Sequence, residues 1–291
     1  MLFRSYHIIN DSRVSVFLMD GEQSYRDSET TTVSDIERYA DELGASFECI
    51  DLGDAQFRCA GSKEYVDWVE RFLGLSDVDG DAPWRRKTAV GHGFHFEVID
   101  CPFDLDHKLR DLAAKGQVCR LVSSYAVPWE TKKRARPHDR TQGRLDFELS
   151  VPDGTGGKTT WHRPWNFAPG EDYTMFIQGT TRSKIAEDPV AEVGCPYVVR
   201  GFDFDYLGVL WLEDLVWRKD RWVYQLPHIH ETALKVTIAD AKKGINHGRE
   251  RLLERIQRGY RILLTRALKG IFLYVHDKET RDHLRASLSK C

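Results

Sequence analysis

The sequence predicts an α/β fold in which a mostly parallel sheet is covered by helices. Two observations carry that expectation. Short apolar runs of strand length alternate along the chain with amphipathic helical patterns, the rhythm of strand–helix–strand units. Several of those runs, such as YLGVLWL at 206–212, are apolar throughout, as strands buried on both faces must be. A chain of 291 residues is long enough to enclose a real hydrophobic core, in one large domain or two small ones.

The elements follow in order. Residues 14–19 (VSVFLM) are the first predicted strand, and a helix follows at 33–43 after a polar loop. Residues 47–50 read as a short strand. Ser62 is placed to cap a helix whose stripe is Tyr65, Val66, Val69, Phe72 and Leu73, with Gly74 at its end. The Gly-rich stretch 76–93 reads as a loop, 94–99 as a strand, 104–114 as a helix and 118–123 as a third strand. Residues 125–172 break the rhythm. They are rich in Pro, Gly, Arg and Trp, and read as a long irregular insertion with a short hairpin at 144–151. The rhythm resumes at 173–177 and continues through the strand at 206–212. A hairpin is expected at 216–224, turning at Lys219-Asp220. A charged helix at 249–268, a strand at 271–275 and a helix at 277–288 close the chain. The expected organisation is one α/β lobe in two parts, 1–124 and 173–291, around the insertion at 125–172.

Composition excludes several classes. A net charge of -3 rules out a diffuse basic field, so nucleic-acid binding must rest on a local patch. The six cysteines form no C-x-x-C pair, which argues for reduced thiols in a cytoplasmic protein and against a zinc site. His228 with His230, and His92 with His95, have no Cys or Asp partner at ligand spacing and read as loop histidines. No apolar run is long enough to span a bilayer, and the first residues have no secretory apolar core. Residues 153–159 (DGTGGKT) imitate a phosphate loop, but G-x-x-x-x-G-K-[ST] needs glycine at 152, where Pro152 stands. That segment also lacks the flanking buried strand and helix, so it reads as a surface turn.

Four segments carry more. They are VSVFLMDGEQ at 14–23, AQFRCAGS at 55–62, VRGFDFDY at 199–206 and YRILLTRALKG at 260–270. In this order they resemble helicase motifs III, IV, V and VI. The set is similar to the Schlafen group 3-like DNA/RNA helicase domain family over nearly the whole chain. The resemblance implies the second RecA-like (P-loop NTPase-type) lobe of a superfamily 1-type helicase or translocase. It implies that Gln23 senses the γ-phosphate and that Arg58 and Arg266 reach across a cleft to the phosphates. A planar, permanently charged guanidinium suits that task. Asp203 would approach the ribose or the Gly-rich loop of the partner lobe, and Arg261 would support Arg266 or pair with an acid. Taken singly, Arg58 reads as a surface salt bridge, Arg266 as a solvated arginine and Gln23 as a loop amide; only the ordered set carries the functional assignment. Where the family has Gln-Gly-Leu-Glu in motif V, this chain has Arg200-Gly201-Phe202-Asp203. Arg200 is therefore a candidate for a nucleic-acid phosphate.

The Walker A and B segments of such a protein should precede motif III, whereas Met1 stands shortly before residue 14. The expected cofactors, ATP and Mg²⁺, would therefore bind only with a first lobe supplied elsewhere in the parent protein or by another chain. Single-stranded DNA or RNA is the expected nucleic-acid partner. Lys132, Lys133, Arg134, Arg136, Arg140 and Arg144 cluster near Trp129, Trp161 and Trp165, which predicts cations for the backbone beside aromatics for stacking. The insertion is expected to project from the sheet. Gln23, Arg58, Asp203 and Arg266 are expected on one face, at strand ends where α/β sheets place ligands. The alternative is a non-catalytic RecA-like module that binds nucleic acid or protein.

Overall fold

The computed structural model describes residues 3–19, 26–27, 31–50, 58–76, 84, 93–167, 184–200 and 202–290. In chain order its strands are β1 (His95–Ile99), β2 (Cys119–Ser123), β3 (Phe147–Pro152), β4 (Lys158–Arg163), β5 (Phe204–Trp211), β6 (Leu215–Arg218), β7 (Arg221–Tyr224) and β8 (Ala267–Val275). Its helices are α1 (Phe3–Asn10), α2 (Val33–Leu43), α3 (Lys63–Leu73), α4 (Pro102–Ala114), α5 (Lys184–Glu187), α6 (Lys235–Lys243), α7 (Gly248–Leu264) and α8 (Lys278–Leu288).

β1, β8, β5 and β2 form a four-stranded sheet in that order, with every neighbouring pair parallel. The fold is thus α/β, a parallel sheet flanked by helices in a RecA-like arrangement. Parallel strands need crossovers, and crossover helices cover both faces, which is why β2, β5 and β8 read as near-continuous apolar runs. Gly208 faces α4: a Cβ there would stand 2.5 Å from a methyl of Leu109, so only glycine lets the helix lie this close. Three residues on, and therefore on the opposite face, Trp211 stacks on Tyr260 of α7 with ring centroids 4.0 Å apart.

The local rules that predict the helices act as expected. Ser62 accepts a hydrogen bond from the Tyr65 amide at the start of α3, and Gly74 ends it at φ 72. The last carbonyls of α3 are claimed by distant side chains: Trp222 Nε1 donates to Phe72 O at 2.7 Å and Gln257 Nε2 to Leu73 O at 2.5 Å. Thr32 and Asp35 form a capping box on α2, and Asp277 caps α8. The β6–β7 hairpin turns at Lys219 and Asp220, both with φ positive (49 and 58), as a two-residue primed turn requires.

Several expectations are corrected. Residues 14–19 and 47–50 are in no strand; Val14, Val16 and Leu18 expose 83, 80 and 91 % of their surface. α7 stops at Leu264, and β8 starts at Ala267 rather than at 271. The predicted strand at 173–177 lies outside the described residues. α6 has a weakly amphipathic, β-branched sequence that gave no helical stripe. Asp27, about two hundred residues upstream, supplies its N-terminal cap by accepting from the Val236 and Thr237 amides at 3.0 and 3.1 Å.

The largest correction concerns the expected insertion. Its described residues, 125–167, do not stand off the sheet. Phe147, Leu149, Trp161 and Trp165 belong to the main core, and both tryptophans are fully buried. The hairpin is longer than expected: β3 pairs with β4 across residues 153–157. Three buried carboxylates tie it in. Asp106 of α4 accepts from Trp161 Nε1 at 2.9 Å and pairs with Arg163. Asp146 accepts from the amides of Thr131 and Trp165 at 2.9 and 2.7 Å, and from the Thr131 hydroxyl. Glu192, which is paired with Arg120 of β2 at 3.1 Å with both buried, accepts from the Phe167 amide at 3.2 Å. Burial pushes all three carboxyls up, against the pull of their cations and donors. Asp106→Ala would leave Arg163 buried without its partner. It should lower unfolding free energy by about 3 kcal/mol in urea titrations, where a detached loop would show almost no change.

At the other end of the sheet, past the carboxyl ends of β2 and β5, Asp214 is enclosed with Ser124 and Tyr260. Tyr260 Oη donates to Asp214 Oδ1 at 2.5 Å and lies 3.1 Å from Ser124 Oγ. Burial outweighs these donors and pushes the Asp214 carboxyl up to about 6. Because the folded-state value is raised, the folded form holds this proton more tightly than the unfolded chain. The stabilisation is fully present below about pH 4 and is lost as pH rises through about 6. Asp214→Asn should therefore gain stability relative to wild type across that window, by about 2–3 kcal/mol at pH 7, in parallel thermal melts. A difference that does not change with pH would refute the assignment.

Candidate functional site

Because all four sheet strands run the same way, their first residues share one edge. Asp203 directly precedes β5 and Arg266 directly precedes β8. Phe204 and Ala267 are register partners, so Asp203 and Arg266 enter the edge side by side. Arg58 joins them from 145 residues away: its Nη2 is 3.1 Å from Asp203 Oδ1. The edge is the amino edge of the sheet. The residues lie at strand ends as expected, although the general α/β rule places ligands at the carboxyl ends.

A short backbone device sets Arg58. Cys59, Ala60 and Gly61 are all left-handed, with φ of 55, 54 and 75. For the two non-glycine residues this costs on the order of 1–2 kcal/mol each. The turn closes through Gly61 N to Arg58 O at 2.9 Å and Ser62 N to Cys59 O at 3.0 Å. It carries the chain from Arg58 into α3 within four residues. It also buries the Cys59 thiol, which donates to Thr265 O at 3.4 Å. One residue earlier, the buried Tyr65 hydroxyl donates to Leu264 O at 2.7 Å. The two carbonyls at the end of α7, immediately before Arg266, are therefore both held from the Arg58 side.

The two arginines differ. Arg58 is 31 % exposed, its contact is with Asp203, and its Nε is buried without a hydrogen-bond partner. Arg266 is buried, with 5 % of its surface exposed, so it is not the solvated arginine of the simplest reading. Arg261, one turn earlier on α7, pairs through Nε and Nη2 with Glu70 Oε1 of α3 at 2.7 and 2.6 Å. An acid partner, one of its two expected roles, is present. Gln23, the residues 55–57 ahead of Arg58, and Gly201 lie outside the described residues.

Next to Asp203 is an open cleft of about 720 Å³ between the end of α4, the start of β2 and α5, walled by Arg110, Ala114, Cys119, Asp188 and Phe202. Arg110 is fixed there by a two-pronged bond to Asp188 at 2.9 and 3.1 Å. Burial, then Asp205, pushes the Cys119 thiol up to about 12, so it is no nucleophile. At the same edge Lys269 bridges Asp205 and Gln117 at 2.9 and 2.8 Å.

The imitation phosphate loop is the β3–β4 turn. Asp153 Oδ1 accepts from the Thr155 and Gly157 amides at 2.8 and 2.9 Å, so the turn's own carboxylate occupies the donors a phosphate would need. Of the expected nucleic-acid residues, Lys132, Lys133 and Arg136 are exposed on and just after a 3-10 turn, Glu130–Lys133. Arg134 donates to Arg144 O at 2.7 Å. Trp129 is half-buried against the core, with Lys132 Nζ 5.2 Å from its ring centre. Trp161 and Trp165 are sealed in the core and unavailable for stacking. Arg200 lies 5.5 Å from the ring of Tyr197, onto which Arg26 also packs at 3.6 Å. Among the described residues there is no cluster of three or more His, Cys, Asp or Glu able to hold a metal ion. No helix among them is long and apolar enough to cross a membrane.

The sequence did not single out Cys59 and Tyr65. The local signal was faint: a Cys-Ala-Gly ahead of a capped helix, in which only the glycine suggests a left-handed turn.

Comparison with known proteins agrees with the ordered motifs. The profile of the family described as Schlafen group 3, DNA/RNA helicase domain, matches residues 5–277. The Saccharomyces cerevisiae protein named Uncharacterized protein YPL245W is 22 % identical over 239 residues, covering 79 % of this chain and 46 % of the yeast protein. The chain thus spans about half the length of that curated relative. No solved structure matches. With a family match over nearly its whole length, the chain belongs to the Schlafen group 3 DNA/RNA helicase domain family.

Proposed function

We propose that this chain is the arginine-bearing lobe of an ATP-dependent DNA or RNA helicase or translocase, acting on a nucleotide held by a second, phosphate-loop lobe. The observation that carries this reading is the convergence of Arg58, Asp203 and the Arg266 loop at the amino edge of the sheet from three distant parts of the sequence. The residues fit one side of a nucleotide site. Arg58 has an unsatisfied buried Nε and an accessible guanidinium, which suits a phosphoryl oxygen. The described residues do not fit the other side. The Gly-rich turn at 153–157 is filled by Asp153, and no acidic cluster is present to hold Mg²⁺.

ATP with its Mg²⁺ supplies the phosphoanhydride whose cleavage drives motion. This chain's part is electrostatic and positional. Arg58 exchanges its ion pair with Asp203 for the charge that develops on the phosphoryl group, and Asp203 becomes free to accept from a ribose hydroxyl. Arg266, gripped at the end of α7, stiffens the same edge and adds positive potential. The Arg261–Glu70 pair keeps α7 and α3 in fixed relation while this happens.

The isolated chain should show no steady-state ATP turnover. When joined to its phosphate-loop lobe, Arg58→Ala should reduce kcat at least about 100-fold with little change in melting temperature. Arg266→Ala should reduce it as far and also cost stability, because a buried side chain is lost. Turnover by the isolated chain, or an Arg58→Ala variant of undiminished kcat, would remove the arginine-finger reading.

Binding of single-stranded nucleic acid is assigned to Lys132, Lys133, Arg134 and Arg136, with Trp129 as the one aromatic of the group left at the surface. Replacing the four cations with Ala should weaken binding and reduce the slope of log K against log[salt] by about 2–3, since each phosphate contact releases counterions. An unchanged slope in filter-binding titrations would leave this turn a solvated connector.

A further inference from the structure

α6 and α7 form a tight helical hairpin whose tip collects positive charge. Residues 235–258 hold seven Lys or Arg against three Asp or Glu, in a chain whose net charge is -3. The helices meet at the tip without room for a side chain: a Cβ on Gly248 would stand 2.4 Å from Ala241 N and from the Asp240 carbonyl carbon. Lys242 and Lys243 close α6, and Arg249 is the second residue of α7; all three are exposed. None of these three side chains has an ion-pair partner among the described residues, whereas Arg251 pairs with Asp240 at 3.5 Å and Arg258 with Glu254 at 2.9 Å. Lysines in a last turn complement the helix dipole and need no other reason. Arg249 does the opposite. It stands at the positive end of a 17-residue helix, where a cation is disfavoured and a carboxylate such as Glu250 is favoured. Three unpaired cations on one rigid tip, one of them set against its own helix, mark a surface for a polyanion.

We infer that this tip grips the phosphate backbone of a nucleic-acid duplex through Lys242, Lys243 and Arg249. This rests on the functional reading above, which makes DNA or RNA the partner, and it adds a contact of a different kind to the single-strand contact at residues 132–136. The chemistry of the tip selects the duplex. No Phe, Tyr or Trp stands between Tyr224 and Tyr260, so bases have nothing to stack on, and stacking is what holds a single strand. A duplex offers one phosphate charge per about 1.7 Å of its axis on a stiff rod. Two packed helices hold their side chains about 10 Å apart, so several phosphates meet the cations without bending the rod. A lipid surface would need an apolar face as well, and Ile245 is the one apolar side chain between Lys242 and Arg249. α7 spans about 25 Å from this tip to Leu264, two residues before Arg266. One helix thus joins the duplex contact to the arginine loop at the amino edge.

Titrations of this chain at several salt concentrations test the inference, with blunt duplexes of about 20 base pairs, one of DNA and one of RNA, and with the corresponding single strands. The triple variant Lys242→Ala, Lys243→Ala, Arg249→Ala should weaken duplex binding at least about 10-fold. It should also reduce the slope of log K against log[salt] by about 2–3, one phosphate for each cation lost. Its single-strand affinity should stay within about twofold and its melting temperature within about 2 °C of wild type. The charge-keeping variant Lys242→Arg, Lys243→Arg, Arg249→Lys should bind duplex as wild type does. Duplex binding that is absent from the wild-type chain, or unchanged in the triple variant, overturns the inference. An equal loss for duplex and single strand overturns it too, since the tip would then serve any polyanion. So does binding to vesicles of anionic lipid, without duplex binding, that the triple variant abolishes; that result assigns the tip to a lipid surface. Replacing Lys132, Lys133, Arg134 and Arg136 with Ala should weaken single-strand binding and leave duplex binding unchanged. An Arg58→Ala variant of undiminished kcat, beside lost duplex binding in the triple variant, removes the arginine-finger reading and leaves the duplex contact. Reduced kcat beside unchanged duplex binding does the reverse.

Discussion

The pairing of β5 with β8 is the contact on which the rest of the molecule depends. Each strand is buried on both faces, and their parallel register puts Phe204 opposite Ala267. A parallel pair cannot be closed by a tight turn, so each strand is entered from a loop or helix at the same edge. That topology brings Asp203 and Arg266 together although the chain between them travels through the β6–β7 hairpin and two helices. It also explains why the site lies at the amino edge. The groups that matter are those the chain passes just before it becomes strand, and their backbone is anchored by the first residues of the ladder.

Arg58 reaches this edge by a different physical route. No strand delivers it; a left-handed turn does, at a cost in backbone strain that Cys59 and Ala60 bear without the freedom of glycine. The cost is offset where the turn is packed. Cys59 is fully buried on the Thr265 carbonyl, and α3 begins at once under the Ser62 cap. Strain held in place by burial is stiff, because relaxing the turn would expose the thiol and free two carbonyls at the end of α7. Arg58 and Arg266 thus share one rigid support, and a movement of α7 would carry both.

Much of this was legible in the sequence, for identifiable reasons. Caps and stripes are local, so Ser62 and Gly74 located their helix to within a residue or two. The both-face apolarity of 206–212 is also local and gave a central strand. What failed was non-local. Residues 14–19 have the composition of a buried strand, but no strand among the described residues pairs with them. Residues 125–165 lack periodicity and look like a detached loop. They are held instead by Asp106 and Asp146, whose partners lie between 15 and 57 residues away. Polar residues in an irregular stretch normally signal solvent, and here they signal the reverse. In the site, the ordered motifs pointed to Arg58, Asp203 and Arg266 but gave neither the ion pair nor the burial of Arg266.

Those buried carboxylates bear on how the molecule can work. An ion pair such as Arg120–Glu192 adds little net stability over well-packed apolar groups, yet breaking it is expensive because each charge is left in a poor dielectric. A segment fixed by such pairs has few alternative ways to pack. The β3–β4 hairpin, α4 and β2 should therefore move as one body, and the basic turn at Glu130–Lys133, tied through Thr131 to Asp146, moves with them. A nucleic-acid strand gripped by Lys132 and Lys133 would then be coupled mechanically to the sheet whose amino edge carries Asp203. On the proposed function that coupling would need no flexible lever: a rigid lobe with candidate nucleotide groups at one edge and cations on the same body would transmit a shift between lobes directly to a bound strand.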